Sequence, residues 1–348
     1  MAKDTEAGEL PGVSYVMPVL NEVDHIDAAI DSLLAQDYEG EFDVTLALGD
    51  SDDGTAELLA ERQARDPRIR VVRNETGSTP AGLNLAIRAS GHPVIVRVDA
   101  HSVLPPDYTR IAVETMQRTG ADNVGGVMDA RGVTAFEQAV AAAYGSRVGL
   151  GGTRLHLGGQ EGPAETVYLG VFNRARLETT GLFDEGIRRG QDWELNRRIR
   201  AAGGIVWFTP RLRVVYRPRP RLRDLARQFF STGVWRGELA RRFPSSNGLR
   251  YFAPPALVLV VTAGVVLGLI GVVQSLVGAA AWLLIGWAAP AIYALGVVGA
   301  AFVTTRRSAP AVTAWTLAVL PCVHFCWGFG FLLGIVSLAR DLQNFTGR

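Results

Sequence analysis

The sequence predicts an α/β domain with a Rossmann-like sheet, followed by a basic segment and a membrane-attached C-terminal region. Strand-like apolar runs alternate with helical segments from Val13 onward, which is typical of a parallel sheet covered on both faces. Eleven arginines lie between residues 211 and 250 against only two carboxylates. Phe252–Val303 then contains no charged residue. The N-terminal part of the chain is therefore expected to form the water-exposed domain, and the C-terminal part the membrane region.

The composition narrows the classes of protein further. A chain of 348 residues with 48% hydrophobic and 20% charged content is neither collagen-like nor disordered. Its only cysteines, Cys322 and Cys326, exclude a disulfide framework, and no Cys/His spacing suits structural zinc. Residues 1–12 are polar and lack the apolar stretch of a signal peptide, so we expect that the N-terminal domain is not exported.

The secondary structure follows from the periodicity of the apolar residues. Strands are predicted at Val13–Val19, Asp43–Leu48, Ile69–Val72 and Pro93–Val98, and helices at Glu22–Gln36, Thr55–Ala64 and Pro80–Ala89. The glycine-rich stretch Gly149–Gly162 is expected to be a mobile loop.

The charge distribution predicts three regions. Residues 1–215 form the α/β domain, residues 216–250 a basic amphipathic segment at the membrane surface, and residues 251–348 a transmembrane region. About 20 apolar residues are needed for each span, which places helices near 253–273, 278–303 and 310–338. By the positive-inside rule, the basic segment and Arg306–Arg307 are expected in the cytoplasm, together with the α/β domain. The C-terminus is then expected outside.

Polar residues follow the first two predicted strands. In open α/β sheets, ligands bind at the carboxyl ends of the strands, so these side chains are expected to line one site: Pro18, Asn21, Glu22, Asp50, Asp52 and Asp53. An ordinary helix cap at Asp53 or Thr55, with Gly54 in the turn, is the alternative interpretation of the second group.

Asp99 and His101 follow the fourth predicted strand with one residue between them. Side chains at i and i+2 of an extended segment point the same way, so the two residues can share a divalent cation whose other positions are filled by diphosphate and water. A histidine ligand favours Mn²⁺ somewhat over Mg²⁺, and a direct contact of His101 with diphosphate is the alternative.

Gln191 and Asp192 precede a predicted helix that carries Arg197, Arg198 and Arg200. The helix dipole stabilises a carboxylate at this position, so Asp192 suits either a base or an N-cap. Glu194 in the first turn is favoured by the same dipole.

The order of these motifs resembles that of the family 2 inverting glycosyltransferases of the GT-A nucleotide-sugar-binding fold, over roughly Val13–Arg236. The family's P-x-x-N-E segment corresponds to Pro18, Asn21 and Glu22, and its Asp-rich tip to Ser51–Thr55. Its D-x-D motif corresponds to Asp99 and His101, and its E-D base to Asp192, with Gln191 in place of the glutamate. The likeness is strongest to bacterial exopolysaccharide transferases of the succinoglycan type, which also end in membrane helices.

This resemblance implies sugar transfer from a nucleotide-diphosphate donor, with Asp192 as the general base and Mg²⁺ or Mn²⁺ held at Asp99 and His101. The donor site implied by the motifs comprises Pro18, Asn21, Glu22, Asp50, Ser51, Asp53, Asn84, Asp99 and Gln191. The family's first tip aspartate falls on Leu48 or Gly49, so Asp50 or Asp52 is expected to contact the nucleobase instead. The protein is accordingly expected in the bacterial plasma membrane, in contact with membrane lipids and not with nucleic acid.

The basic segment offers two interpretations. Leu222, Leu225, Phe229 and Phe230 have helical spacing among arginines, which predicts an interfacial helix. The sequence from Arg227 also resembles the family's acceptor-side Q-x-x-R-W helix. On that second interpretation the acceptor or diphosphate side includes Glu194, Arg217, Gln228, Trp235 and Arg236. The membrane anchor favours a polyprenyl-phosphate or lipid-linked acceptor.

Two other functions compete with glycosyl transfer. Gly149–Gly159 partly matches the glycine-rich loop of sugar-1-phosphate nucleotidylyltransferases, although that loop belongs after the first strand. A non-catalytic, membrane-anchored nucleotide-binding component is the third interpretation, but it leaves the acidic site without a task. His324 in the last apolar run is expected to face a neighbouring helix as a neutral side chain.

Overall fold

A computed structural model describes residues 10–338, and these residues form two compact units. The sheet unit contains the chain up to Asp129 together with Gly158–Tyr216. The helical unit contains Ala130–Leu157 and the chain from Arg217 onward. Residues 130–157, which the sequence placed within the α/β domain, therefore belong with the membrane helices.

The sheet unit is built on an eight-stranded sheet with the order β3-β2-β1-β4-β7-β5-β8-β6. Its strands are β1 Val13–Val19, β2 Phe42–Leu48, β3 Ile69–Arg73, β4 Val94–Arg97, β5 Asn123–Ala130, β6 Gly162–Pro163, β7 Tyr168–Asn173 and β8 Val206–Tyr216. Strands β3, β2, β1 and β4 are mutually parallel. Strand β7 is antiparallel to both β4 and β5, and β6 is antiparallel to β8. The four strands predicted from the sequence are thus parallel, as expected, and the antiparallel strands lie in the second half of the sheet unit, for which no strands were predicted.

Thirteen α-helices occur in the described part of the chain. They are α1 Ile26–Leu34, α2 Thr55–Arg65, α3 Thr79–Ala89, α4 Tyr108–Thr119, α5 Ala135–Tyr144, α6 Arg147–Leu150, α7 Arg154–Leu157, α8 Arg174–Thr180, α9 Gln191–Ala201, α10 Leu222–Arg242, α11 Ala253–Leu276, α12 Ala288–Thr304 and α13 Pro310–Ile335. Helices α6 and α7 lie where the sequence predicted a mobile loop, so that expectation is corrected.

The core lies on both faces of the sheet because side chains alternate along each strand. In β1, Val13, Tyr15 and Met17 contribute to one buried cluster, whereas Val16 contributes to the other. All seven residues of β1 are apolar or small, and only Pro18 is partly exposed. This strand therefore lies inside the sheet and carries its carboxyl end to the site.

Three helices of the helical unit are long and apolar enough to cross a membrane. The apolar stretches are Leu249–Leu276, Trp282–Thr304 and Pro310–Ile335, close to the three predicted spans. A 3-10 turn at Trp282–Trp287 leads into α12. His324 of α13 lies 3.1 Å from the Tyr293 hydroxyl of α12, which agrees with its expected place against a neighbouring helix.

Helix α10 packs along α13 through glycines on both helices. A Cβ at Gly233 or Gly237 of α10 would overlap the backbone of α13 at Trp327 or Phe331. Likewise, a Cβ at Gly330 or Gly334 of α13 would overlap the backbone of α10 at Phe230 or Val234. Two small-xxx-small patterns thus bring the two backbones into direct contact.

Candidate active site

The carboxyl ends of β1 and β2 are joined through Asn21. Its main-chain N–H donates to Ser51 Oγ at 3.0 Å, and its side-chain oxygen accepts from the main-chain N–H of Asp52 at 3.0 Å. Asn21 has φ 53°, in the left-handed region that asparagine tolerates better than most residues. The two sequence motifs therefore form one surface.

Asp53 is occupied in building this surface. One carboxylate oxygen accepts from the Thr55 N–H and hydroxyl, and the other accepts from the Val23 N–H at 3.1 Å. The hydrogen bond from the Thr55 hydroxyl is the main reason that the pKa of Asp53 is lowered. The N-cap of α2 is Gly54, with φ 96°, rather than Asp53 or Thr55, so Asp53 holds the turn that precedes the helix. Asp50 and Asp52 are exposed, and Asp50 lies 3.7 Å from Arg73.

Glu22 and His101 meet beside this surface. His101 Nδ1 lies 3.2 Å from Glu22 Oε1, and the main-chain N–H of Glu22 donates to Thr55 Oγ1 at 3.0 Å. The first, second and fourth parallel strands therefore contribute side chains to the same edge, as the sequence predicted.

Arg97, the last residue of β4, connects the carboxylates of Asp99 and Asp192. Its guanidinium lies 3.0 Å from Asp99 Oδ1 and forms a second ion pair with Asp192. Arg97 is 6% exposed. Burial alone would lower its pKa, but the charges of Asp192 and Asp99 raise the pKa above its usual value. The sequence analysis missed Arg97, although an arginine inside the apolar run VIVRV requires a buried acidic partner.

Asp192 lies within the first turn of α9 rather than before it. The helix begins at Gln191 after Gly190, which has φ 78°. Asp192 has a side-chain exposure of 32%, so a substrate can reach it, whereas Gln191 is buried. Asp192 therefore lies between the N-terminal end of α9 and the Arg97 guanidinium.

Tyr168 of β7 is a further group beside Asp99 that the sequence analysis did not single out. Its side chain hydrogen-bonds to Ser102, and burial together with the charge of Asp99 raises its pKa. No local motif marks Tyr168, because β7 reaches β4 through antiparallel pairing.

Two predicted site residues have protein partners instead. Asn84 is buried, and its side chain bonds the main chain of Phe183 and the carboxylate of Glu185. Glu194 is 2% exposed and ion-paired with Arg197 and Arg198. Asn84 thus holds the loop that leads to α9, and Glu194 is corrected from an acceptor contact to a buried structural carboxylate.

The four predicted acceptor residues outside the sheet unit differ in exposure. Arg217 is exposed and Gln228 is half-buried, but Trp235 and Arg236 are buried within the helical unit. Arg236 lies over the Tyr251 ring at 3.7 Å and donates to Asn247 Oδ1 at 2.5 Å. The expectation that Trp235 and Arg236 face the acceptor is therefore corrected to a packing role.

The residues that would hold a divalent cation are few. Within residues 10–338, no three His, Cys, Asp or Glu side chains come together as a complete ligand set. Arg97 donates to Oδ1 of Asp99 at 3.0 Å. Asp99 therefore fits a cation only if diphosphate oxygens and water complete its shell.

The nucleotidylyltransferase alternative is not supported by this geometry. Its glycine-rich loop belongs after the first strand, but β1 leads into the Asn21–Glu22 turn. Gly149–Gly159 mostly forms α6, α7 and the turn between them, in the helical unit.

Comparison with known proteins identifies the family. The family model described as Glycosyl transferase family 2 matches residues 14–177. The chain is 33% identical to the succinoglycan biosynthesis protein ExoA of Rhizobium meliloti (strain 1021) over 244 residues, covering 70% of this chain and 74% of that protein. It is 29% identical to ExoO of the same organism over 219 residues, covering 61% and 62% of the two chains.

A solved structure shares the fold. The mannosyltransferase PcManGT from Pyrobaculum calidifontis, in complex with GDP-Man and Mn²⁺, aligns with a TM-score of 0.64 and 18% sequence identity. The alignment covers 95% of this chain and 88% of that one. The similarity to ExoA, together with the family match over β1–β7, shows that this chain is a glycosyltransferase and belongs to glycosyltransferase family 2.

Proposed function

We propose that the protein is an inverting glycosyltransferase that moves a hexosyl group from a nucleotide-diphosphate donor to a lipid-linked acceptor at the cytoplasmic face of a bacterial plasma membrane. The observation that carries this proposal is the pairing of Arg97 with both Asp99 and Asp192 at the carboxyl edge of the sheet. We assign Asp99 to the donor diphosphate and Asp192 to the acceptor hydroxyl.

The nucleoside is proposed to bind the surface formed by the ends of β1 and β2. Pro18, Asn21 and Ser51 shape this surface, and the exposed Asp50 and Asp52 supply carboxylates for the base or ribose. Glu22 positions His101, and Asn84 positions the loop before Gln191.

Asp99, with His101 beside it, would hold a divalent cation together with the donor diphosphate. The cation would neutralise charge that develops on the leaving group. PcManGT, which shares the fold, was solved with GDP-Man and Mn²⁺, and this supports the donor class and the metal.

Asp192 is proposed to accept the proton of the acceptor hydroxyl. The hydroxyl oxygen forms the new bond to the anomeric carbon while the bond from that carbon to the diphosphate breaks on the opposite face. The nucleoside diphosphate leaves, and the anomeric configuration inverts in one step. A single positioned base suffices, and no covalent intermediate is required.

The acceptor is proposed to be a polyprenyl-phosphate or a growing lipid-linked glycan. Three helices are long and apolar enough to cross a membrane, and the ExoA relative is named for the biosynthesis of a polysaccharide, which supports this proposal. Arg217 and Gln228 remain the proposed acceptor-side contacts.

The test uses the full chain in lipid nanodiscs with radiolabelled UDP-, GDP- and dTDP-sugars and a polyprenyl-diphosphate-linked glycan. We expect the label to enter the lipid fraction with release of nucleoside diphosphate, and NMR of the product to show an inverted anomeric centre. A retained configuration would disprove the one-step mechanism. Formation of nucleotide sugar from sugar phosphate and nucleoside triphosphate would instead identify a nucleotidylyltransferase.

A further inference from the structure

Helix α13 differs from the other two apolar helices in its surroundings. Of its most apolar window, 44% is buried inside the protein, compared with 28% for the first apolar stretch and 11% for the second. The covering segments include α5, α6 and α10, in addition to the neighbouring apolar helices. Length and composition permit α13 to span a membrane, but its neighbours must then share that environment.

The C-terminal half of α13 lies against a charged helix. The glycine contacts place α10 alongside Trp327–Ile335 of α13. Helix α10 carries seven charged residues among 21. Glu238, which is 3% exposed, accepts from Arg241 and Arg242 at 2.6 Å and lies beside Gly334 of α13. Each charge at the centre of a bilayer costs about 2.5–3.5 kcal/mol on insertion scales, so α10 and this half of α13 belong at the membrane surface.

Helix α13 also contacts residues 130–157, the stretch of chain that connects the two parts of the sheet unit. The Phe136 ring of α5 lies 5.2 Å from the Trp315 ring in an edge contact. Further along α13, His324 Nε2 donates to the Val148 carbonyl at 2.8 Å. Helix α5 starts with a polar capping box at Thr134 and Glu137. Surface segments therefore touch α13 near residues 315, 324 and 331, which together extend over most of its length.

Most of the exposed large apolar side chains of α13 lie on one side of the helix, whereas Leu317, 37% exposed, lies on another side. Trp315, Phe329 and Val336 are 43%, 45% and 58% exposed. Their spacing of 14 and 7 residues places them on one helix face. Helices α11 and α12 differ, because large apolar side chains are exposed around most of their circumference. A mainly apolar exposed side, with the charged helix α10 packed on another side, is typical of a helix that lies in the membrane interface.

The charge of the helical unit indicates the kind of surface. Its described residues contain fourteen arginines and three carboxylates. The described residues of the sheet unit contain eighteen arginines and 27 carboxylates. A basic helical unit fits anionic headgroups, to which each exposed arginine adds about 1 kcal/mol near the surface.

We propose that α13 lies along the headgroup–acyl boundary of an anionic bilayer, with α10 on its water side. Only α11 and the Trp282–Thr304 stretch then cross the membrane, as a hairpin. The loop at Ser308 and the end of α13 at Ser337 lie on the same side, which is also the side of α10. This arrangement changes the expectation, drawn from the sequence, that the C-terminus is outside.

Single cysteines test this topology in the full chain. In a C322S/C326S background, Ser275→Cys, Ser308→Cys and Ser337→Cys are each exposed to a membrane-impermeant maleimide in spheroplasts and in inside-out vesicles. We expect Ser308→Cys and Ser337→Cys to react from the same side and Ser275→Cys from the opposite side. Labelling of Ser308→Cys and Ser337→Cys from opposite sides would show that α13 spans the bilayer and would overturn the proposal.

Spin-label depth measurements provide a second test. Labels at Trp315→Cys, Phe329→Cys and Val336→Cys are expected at similar depths of about 5–10 Å in phosphatidylglycerol-rich nanodiscs. A label at Val266→Cys of α11 serves as the deep reference. A Phe329→Cys label at the bilayer centre would contradict the proposal. An epitope tag after Arg348 tests the same side assignment without replacing the native cysteines.

Discussion

Arg97 at the end of β4 forms an ion pair with Asp192 in the first turn of α9, although the two residues belong to different sequence motifs. The same guanidinium holds Asp99, so one buried cation fixes two carboxylates at the carboxyl edge of the sheet. A donor bound at Asp99 and a base at Asp192 would therefore be kept in a constant relation to each other.

Asp192→Asn is expected to lower kcat by about 10²–10⁴, because the amide cannot accept the acceptor proton. The donor dissociation constant should change little. Isothermal titration with the nucleotide sugar and steady-state transfer assays measure the two quantities. Asp184→Asn is the matched control, because this exposed side chain accepts the Gly186 N–H in a turn. Turnover of Asp192→Asn within tenfold of the wild type would contradict its role as the base.

Arg97→Lys is expected to lower kcat and to change the KM for the donor much less. The factor for kcat should exceed the factor for KM roughly ten- to a hundredfold. An ammonium group is a point charge and cannot hold two carboxylates in the fixed geometry of a guanidinium. Arg97→Ala should lose activity that added guanidinium chloride at millimolar concentration partly restores. Thermal unfolding of each variant separates this positioning role from a loss of folding, and unrescued Arg97→Ala that remains folded would argue against it.

Asp99→Ala is expected to weaken donor binding, and activity should require Mg²⁺ or Mn²⁺. Titration of the cation in the presence of nucleoside diphosphate should show a weaker apparent affinity in the variant. Asp107→Asn, which makes no capping hydrogen bond at the start of α4, is the control. Full activity of the wild type in excess chelator would rule out a required metal.

Gly233→Leu and Gly237→Leu are expected to destabilise the helical unit, because the new side chains would overlap the α13 backbone. Overpacking of this kind costs about 1–3 kcal/mol or more. Gly299→Leu on α12 is the control, because a Cβ there meets no atom within 4 Å. Thermal unfolding in detergent should show a lower Tm for the first two variants alone. An unchanged Tm for both would mean that α10 and α13 do not depend on close contact.

The parallel half of the sheet was predicted almost to its bounds. Strand β1 matches the prediction, and β2, β3 and β4 differ at their ends by one or two residues, because short apolar runs between turn residues carry the necessary information. The antiparallel half was not predicted. Strand β7 pairs with β4 and β5 across long separations, and no local periodicity records such pairing.

The site was predicted in outline for the same reason. Motifs at strand ends located Asn21, Asp99 and Asp192, since each stands beside a recognisable strand or helix start. Their connection through Arg97 depends on tertiary structure. The contact between α5 and α13 likewise could not be predicted from the sequence, because it joins Phe136 and Trp315, which are far apart in the chain.

The chain passes between its two units three times, after Asp129, after Leu157 and after Tyr216. Cleavage at any one of these points gives two fragments, at least one of which still contains residues of both units. A gene fragment that stops after Tyr216 keeps residues 130–157 but lacks the Trp315 and Phe229 rings that pack on Phe136 and Tyr144. Such a fragment would expose those two aromatic side chains and aggregate, so a soluble catalytic fragment also requires a short linker from Asp129 to Gly158.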